Sequence, residues 1–430
     1  MFDNYKINNE LCVKCGKCIP DCTIHKINPD EVTSPRGFIE LLGAYQNGDL
    51  ELDKNAKDIF ESCFLCTSCV EVCPNSIPTD MLIEQVRDDI RKKFGLAWYK
   101  KIFFYLLRHR KVMDFMAKMG YVFQTCGFKI LENNSMKPRF SLPIIKKDRI
   151  LPSSAKETFL NSNPDSIKNG GKAKIAIFIG CLANYSYTNI GKSLLEILAK
   201  LEIDVEIIKE QKCCGAPAYF TGDFDTVEHL AKHNIKYFES FIDEVDAIII
   251  PEATCSAMIK IDYPHFFDKN EKDKEWKDRA VALQSKIFMA TEYLAKNTKL
   301  KELLEKQNKN LDDLITYHDP CHAKKMQGIH KEPRELLTQN YQLKEMSDPN
   351  RCCGFGGVTM QSEKYHLAKA AGLPKASMIK DTKANIVSTE CSACKMQITN
   401  SLNVSKVENV IVKNPIELIA QALNNSENMD

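Results

Sequence analysis

No window of this 430-residue chain approaches the roughly 18–20 consecutive apolar residues of a membrane-spanning helix. The longest unbroken candidate, Ile175 to Ala183, is far too short. The start, MFDNYKINNE, has no apolar core of a secretory leader. A net charge of only +2 gives no general case for nucleic-acid binding. No Gly-x-Gly-x-x-Gly follows a strand, so the dinucleotide-binding fingerprint is missing. No nucleophile elbow and no zinc-protease motif occurs either. Hydrophobic content of 44% and charged content of 27% are ordinary for a soluble globular protein, and the length suits two or three domains.

Cysteine, by contrast, is abundant. Of 18 cysteines, seventeen fall into four clusters with repeating spacings, and only Cys126, read as a core residue, stands alone. Cysteine-rich chains are either disulfide-stapled secreted modules or intracellular metal proteins. The size, the start and the C-x-x-C grouping favour the second, with thiols facing a reducing cytoplasm. Soft thiolates in tight local sets are what iron–sulfur clusters need.

Cys12, Cys15, Cys18, Cys22 and Cys63, Cys66, Cys69, Cys73 both read C-x2-C-x2-C-x3-C, the bacterial ferredoxin spacing for 4Fe–4S clusters. Three thiolates on one tight loop cap one face of a cubane, and in two-cluster ferredoxins the fourth comes from the other run. The first cluster is therefore assigned to Cys12, Cys15, Cys18 and Cys73, and the second to Cys63, Cys66, Cys69 and Cys22. Pro74 follows Cys73 as that spacing expects, whereas Thr23 follows Cys22. Structural zinc knots also use C-x2-C pairs, but the shared x2-x2-x3 grammar of two tandem runs argues against them.

The remaining cysteines lie in a different texture. Apolar runs at 174–179, 205–208, 247–250, 314–317, 343–346 and 385–387 alternate with helical stretches at 188–201 and 224–242, as in parallel α/β units. Each run leads to a cysteine landmark: Cys181, Cys213–Cys214–Gly215 and Cys255, then Cys321, Cys352–Cys353–Gly354 and Cys391. The offsets between the two series, 140, 139 and 136 positions, point to an internal duplication. Cys255-Ser256-Ala257-Met258 even matches Cys391-Ser392-Ala393-Cys394. Sites in open α/β sheets form outside the carboxyl ends of strands, so the thiols of each half should converge at one sheet edge. Cysteines that merely pack strand ends explain vicinal repeated pairs poorly. Gly215 and Gly354 suit a sharp turn that lets adjacent thiolates share one site.

With these motifs assembled, the chain resembles the iron–sulfur subunits of glycolate oxidase and anaerobic glycerol-3-phosphate dehydrogenase, and is similar to a fusion of the two small subunits of heterodisulfide reductase. The likeness covers nearly the whole chain. Ser34 to Leu42 (SPRGFIELL) looks like the glycolate oxidase type, and Cys391 to Ile398 (CSACKMQI) like the glycerol-3-phosphate type. The resemblance implies a cluster in each intact half. The second half has all five thiols, Cys321, Cys352, Cys353, Cys391 and Cys394, one more than a cubane needs. The first has Cys181, Cys213, Cys214 and Cys255, with Met258 in the last position, and could still hold an ordinary cluster. His318 and His322, flanking Cys321 in YHDPCH, read either as hydrogen-bond donors to cluster sulfur or as satisfied strand-end histidines.

These features predict an α+β multidomain protein: a mainly helical two-cluster ferredoxin-like domain (1–95), a basic aromatic helical segment and Pro-punctuated linker (96–172), and two α/β Cys-Cys-Gly domains with parallel sheets (173–310 and 311–430). No residue is read as catalytic. Oxidising an alcohol requires a hydride acceptor, usually flavin or nicotinamide, so an FAD-containing dehydrogenase partner is implied. The expected role is an electron-transfer subunit of a 2-hydroxyacid (glycolate or D-lactate) oxidoreductase, delivering electrons to quinone or a membrane quinone reductase. A glycerol-3-phosphate dehydrogenase subunit and a heterodisulfide-reductase-like thiol–disulfide catalyst are the alternatives. Arg91 to Met113 carries eight Lys or Arg and no acid, interleaved with Trp98, Tyr99, Phe103, Phe104 and Tyr105. It suits an interfacial helix on the inner face of the cytoplasmic membrane, or a basic helix packed on protein.

Overall fold

The computed structural model describes residues 9–131, 134–141, 144–268, 271–307 and 311–424. The first eight residues lie outside them. The N-terminal domain is helical. Its helix α1 (Pro35–Asn47) explains the SPRGF motif: the Ser34 hydroxyl accepts from the Gly37 amide at 2.9 Å, and Pro35 occupies the first turn, where no amide donor is missed. Helix α2 (Thr79–Phe94) buries Leu82, Ile83, Val86 and Ile90 on one face. Two further helices, α3 (Trp98–Arg108) and α4 (Arg110–Gly127), lead into a small antiparallel sheet of β1 (Phe128–Leu131), β2 (Ser135–Pro138) and β3 (Leu151–Pro152).

The first α/β half holds β4 (Ser166–Ile167), β5 (Lys174–Ile177), helix α5 (Asn189–Lys200), β6 (Asp204–Ile207), helix α6 (Phe224–Glu239), β7 (Ala247–Ile250) and β8 (Ile287–Met289). Its sheet runs β4-β6-β5-β7-β8, parallel except for β4. The second half holds β9 (Leu311–Tyr317), β10 (Tyr341–Leu343), helix α7 (Tyr365–Thr382), β11 (Ile386–Ser388), helix α8 (Ser392–Val404), β12 (Ile411–Lys413) and helix α9 (Pro415–Asn424). Its all-parallel sheet runs β10-β9-β11-β12. The order β6-β5-β7-β8 is thus repeated, as a duplication requires. Every residue of β7 is buried, so helices cover both sheet faces.

The halves are welded into one body. Ile416 and Ile419 of α9 share a core with Ile190, Leu194 and Ile197 of α5. Across the strand ends, the Ala253 amide donates to the Glu390 carbonyl at 2.8 Å, and the Ser392 amide donates to the Glu252 carboxylate at 2.8 Å. The Pro-punctuated stretch is a strap rather than a free tether. Phe159 and Leu160 enter the core of the first half, β4 pairs with β6, and the Ile150 amide donates to Asn400 Oδ1 of the second half at 2.9 Å. Cys126, expected in the core, is exposed near the end of α4, a helix with no buried residue.

The ferredoxin-like domain docks against both halves. Buried Arg87 of α2 donates to the carbonyls of Phe60, Cys63 and Phe220, the last at 2.7 Å. The α2 backbone comes this close because Gly222, at φ +80°, has no side chain: a Cβ there would stand 2.3 Å from the carbonyl carbon of Arg87. The Gly222→Ala variant is expected to lose about 2–4 kcal/mol of this docking, from strain in the left-handed region plus the backbone clash. Calorimetry should then show a separate, lower-temperature transition for the N-terminal domain.

Candidate iron–sulfur centres

The two ferredoxin loops have the same backbone. Cys12 and Cys63 are each followed, two positions on, by a residue in the left-handed region (Lys14, φ 53°; Leu65, φ 51°) and, four positions on, by another (Gly16, φ 76°; Thr67, φ 55°). Repeated positive φ in non-glycine residues is strain kept for a purpose; it curls each loop around its sulfurs. The Leu65 amide already points at Cys63 Sγ, 3.4 Å away. Cys22, although it closes the first run, lines one small cavity with Cys63, Cys66 and Cys69. Cys73 interacts with Cys18 and belongs to the other loop's surroundings.

In the first half, Cys181 opens a short helix after Gly180, Cys213 and Cys214 sit on the turn after β6, and Cys255 lies on the helix after β7. Their thiols form a chain, Cys181 to Cys213 to Cys214 to Cys255. Gly215 takes φ +97°, and its amide lies 3.5 Å from Cys213 Sγ. Met258 is fully buried with its Cε beside Gly215, so an apolar thioether occupies the place of a fifth thiol.

In the second half, Gly354 at φ +89° repeats the turn, with its amide 3.3 Å from Cys352 Sγ. Cys353 and Cys394 stand 3.3 Å apart, and Cys391 caps the start of α8. Hydrogen bonds from the Cys352 and Cys394 thiols pull Cys353 down to about 6, and a bond from Cys394 does the same for Cys391. Thiolate, the ligating form, is therefore favoured at Cys353 and Cys391, whereas burial and the same thiol contacts push Cys321, Cys352 and Cys394 up. Cys321 begins the helix after β9, with His322 Nδ1 3.3 Å from its sulfur. His322 also stacks on Phe220, ring centroids 5.4 Å apart. His318 is different: it is buried and neither ring nitrogen makes a hydrogen bond of good geometry, with only the Pro349 carbonyl as a weak neighbour.

The clustered cysteines thus gather in four groups, Cys15 alone of them being exposed, and the groups touch in order. Cys66 of the second ferredoxin loop meets Cys352. Thr254, beside Cys255, places its Oγ1 3.3 Å from Cys391 Sγ. The first-half thiols in turn line a cavity with Leu106, Leu107, Arg110 and Met113 of α3 and α4.

Several residues that shape these sites lie outside every cysteine motif. Asn234 of α6, fully buried, donates to the Cys213 carbonyl at 3.2 Å, and Tyr263 Oη donates to the Cys214 carbonyl at 2.8 Å. Lys375 of α7, also fully buried, donates to the carbonyls of Asp348 (2.8 Å) and Pro349 (3.3 Å), just ahead of Cys352. Burial pushes the Lys375 ammonium down to about 8. The sequence does carry a signal for two of them: Asn234 and Lys375 are lone polar residues on otherwise apolar helix faces (Leu230, Ala231, Ile235; Ala371, Ala376, Ile379). The Lys375→Ala variant leaves a void and strips the ammonium's bonds from the Asp348 and Pro349 carbonyls, which keep only the backbone amides of Arg351 (3.4 Å) and Asp319 (3.1 Å). It is expected to cost roughly 2–4 kcal/mol, read as a lower denaturation midpoint with the 346–352 loop newly sensitive to protease.

Thiols gathered four or five at a time, with backbone amides aimed at sulfur in three of the four sets, fit clusters rather than packing or disulfides; the described cysteines are all free thiols. A 4Fe-4S dicluster domain model matches residues 8–77, and a cysteine-rich domain model matches 175–260 and 315–399. This is an iron–sulfur protein built for electron transfer. More narrowly, the chain belongs to the family of iron–sulfur proteins that join a dicluster domain to two cysteine-rich domains. It is 30% identical over 429 residues to an iron–sulfur protein of Methanocaldococcus jannaschii, covering 97% of this chain and 74% of that one. It is 29% identical over 399 residues to a probable glycolate oxidase iron–sulfur subunit of Bacillus subtilis (90% and 87%). With a CoB–CoM heterodisulfide reductase component from Methanosarcina barkeri it shares 26% identity over 439 residues (96% and 94%). The crystal structure of a hypothetical protein from Helicobacter pylori shares the fold, with a TM-score of 0.55 at 11% identity, covering 94% of this chain and 71% of that one.

Proposed function

We propose that this chain is the electron-relay subunit of a flavin-dependent 2-hydroxyacid oxidoreductase acting on glycolate or D-lactate. An FAD-containing dehydrogenase subunit supplies the electrons, and quinone or a membrane quinone reductase receives them. The observation that carries this reading is the succession of thiol groups in contact: the first ferredoxin loop, the second, the second Cys-Cys-Gly site through Cys66 and Cys352, and the first through Cys391 and Thr254. Iron–sulfur clusters accept and release single electrons, which is what converting a two-electron flavin to stepwise transfer requires. The chain's own part is to gather each thiol set, to aim the amides of Leu65, Gly215 and Gly354 at sulfur, and to keep the sets adjacent through Arg87 and Lys325, which donates to the Cys66 carbonyl at 3.3 Å. The eight ferredoxin cysteines take the crossed assignment, Cys12, Cys15, Cys18 with Cys73, and Cys63, Cys66, Cys69 with Cys22.

The same reading puts the far end of the series at the inner face of the cytoplasmic membrane. No helix of the described residues is long and apolar enough to cross a bilayer, so contact would be lateral, through α3 and α4. On α3, Lys100, Phe104 and Leu107 pack inward while Trp98, Ile102 and Tyr105 face out. Helix α4 is amphipathic in the inverted sense. Its inward bonds are polar: Arg110 donates to the Lys209 and Gln211 carbonyls, and Asp114 accepts from Tyr185 Oη at 2.6 Å. Its apolar stripe, Val112, Phe115, Met116, Val122 and Phe123, is exposed. Between 91 and 147 there are fourteen Lys or Arg and two acids, a match for anionic headgroups.

The test is anaerobic co-expression with the flavoprotein, followed by dye reduction. Activity with glycolate or D-lactate, but not glycerol 3-phosphate, is expected. Activity with glycerol 3-phosphate alone would move the chain to the other dehydrogenase class, and disulfide reduction without any flavoprotein would overturn the relay.

A further inference from the structure

We propose that His318 is a nitrogen ligand of the metal centre in the second α/β half. The imidazole sits one residue beyond β9, 1% exposed, held by its backbone amide, which donates to the Ser388 carbonyl at 2.9 Å. Neither Nδ1 nor Nε2 has a hydrogen bond of good geometry, and the Pro349 carbonyl is only a weak neighbour of the ring. A buried polar group left unpaired costs roughly 1–3 kcal/mol, and such orphans in native interiors commonly mark an ion or water that satisfies them. One ring nitrogen, Cys353 Sγ and Cys394 Sγ all lie within 4.8 Å of one another. A thiolate at about 2.3 Å and an imidazole at about 2.0–2.1 Å from one ion stand roughly 3.5–4.4 Å apart. The spacing therefore suits donors facing each other across a metal.

The duplication supplies an independent comparison. The position three before the first landmark cysteine is His318 in the second half and Phe178 in the first, where it is buried among apolar side chains. The position three after the last landmark cysteine is Cys394 in the second half and Met258 in the first. So the two donors that lie together in one copy are both apolar in the other. His322 does not share this role, since its Nδ1 already faces Cys321 Sγ and its ring stacks on Phe220. The second site then offers five thiolates and one imidazole, and the first offers four thiolates.

The experiment uses the full-length holo-protein, purified anaerobically with 57Fe and 15N-histidine. Pulsed EPR on oxidised and reduced samples should detect a directly bonded 15N nucleus, since the eight ferredoxin cysteines provide no nitrogen. Mössbauer spectra, which read diamagnetic iron as well, should show one distinct iron site. Both features should be lost in His318→Gln. In His318→Cys, which restores a donor if the glutamine variant fails to load, iron content should be kept, the nitrogen coupling lost and the midpoint potential of that centre lowered, because imidazole in place of thiolate raises potential. A holo-protein lacking bonded nitrogen, or retention of the coupling in His318→Gln or His318→Cys, would overturn the proposal.

Discussion

Replacing Cys22 with serine is expected to strip iron from the centre built on Cys63, Cys66 and Cys69, while the centre on Cys12, Cys15 and Cys18 stays loaded. Sequence order alone would suggest the reverse, because Cys22 ends the first run. In the fold, however, Cys22 is buried at the start of the short helix Thr23–Ile27 and lines a cavity with the second loop's thiols. A serine hydroxyl is a hard, weakly acidic donor and a poor substitute for thiolate on iron. The loss should be about four iron atoms per chain. Cys73→Ser should give the complementary result. Iron and sulfide analysis, with EPR to identify the surviving signal, reads both. Loss of the first centre in Cys22→Ser would mean that the runs are not crossed.

The second large effect concerns α4. The double variant Phe115→Glu/Phe123→Glu is expected to abolish binding to vesicles containing anionic lipid while leaving iron content and thermal stability unchanged. Burying a phenylalanine side chain contributes about 1.5–3 kcal/mol, so losing two lowers partitioning by roughly two orders of magnitude or more. Stability should be spared because Phe115 and Phe123 are 62% and 57% exposed. Wild-type binding should also weaken with salt, since the surrounding lysines and arginines act through a screened field. Co-sedimentation with phosphatidylglycerol-containing vesicles checks both points. Equal binding by the two proteins, or none by the wild type, would assign this face to a protein partner.

These two cases show where residue patterns are informative. Short β-branched runs followed by cysteine are legible as β5, β6, β7, β9 and β11, because burial on both faces demands continuous apolar strands. Strands β8 and β12 are not: each has three residues and no cysteine landmark to mark its end. The strap looks like a tether in sequence because its prolines dominate the local pattern, whereas Phe159 and Leu160, which anchor it in the first-half core, are an isolated apolar pair. The basic, acid-free texture stops at Met113, yet the exposed apolar stripe runs on to Phe123. Periodicity reveals that a helix has an apolar face but not which way that face turns. The thiol sets are visible from spacing; the contact between Cys66 and Cys352 is not, since it joins segments nearly three hundred residues apart through tertiary docking alone.

The relay itself is most directly tested by freeze-quench EPR of the complex with its flavoprotein, mixed anaerobically with glycolate or D-lactate. Reduced 4Fe–4S signals belonging to this chain should appear after flavin reduction and disappear when quinone is added. A flavin that is fully reduced by substrate while the clusters of this chain stay oxidised would contradict the account.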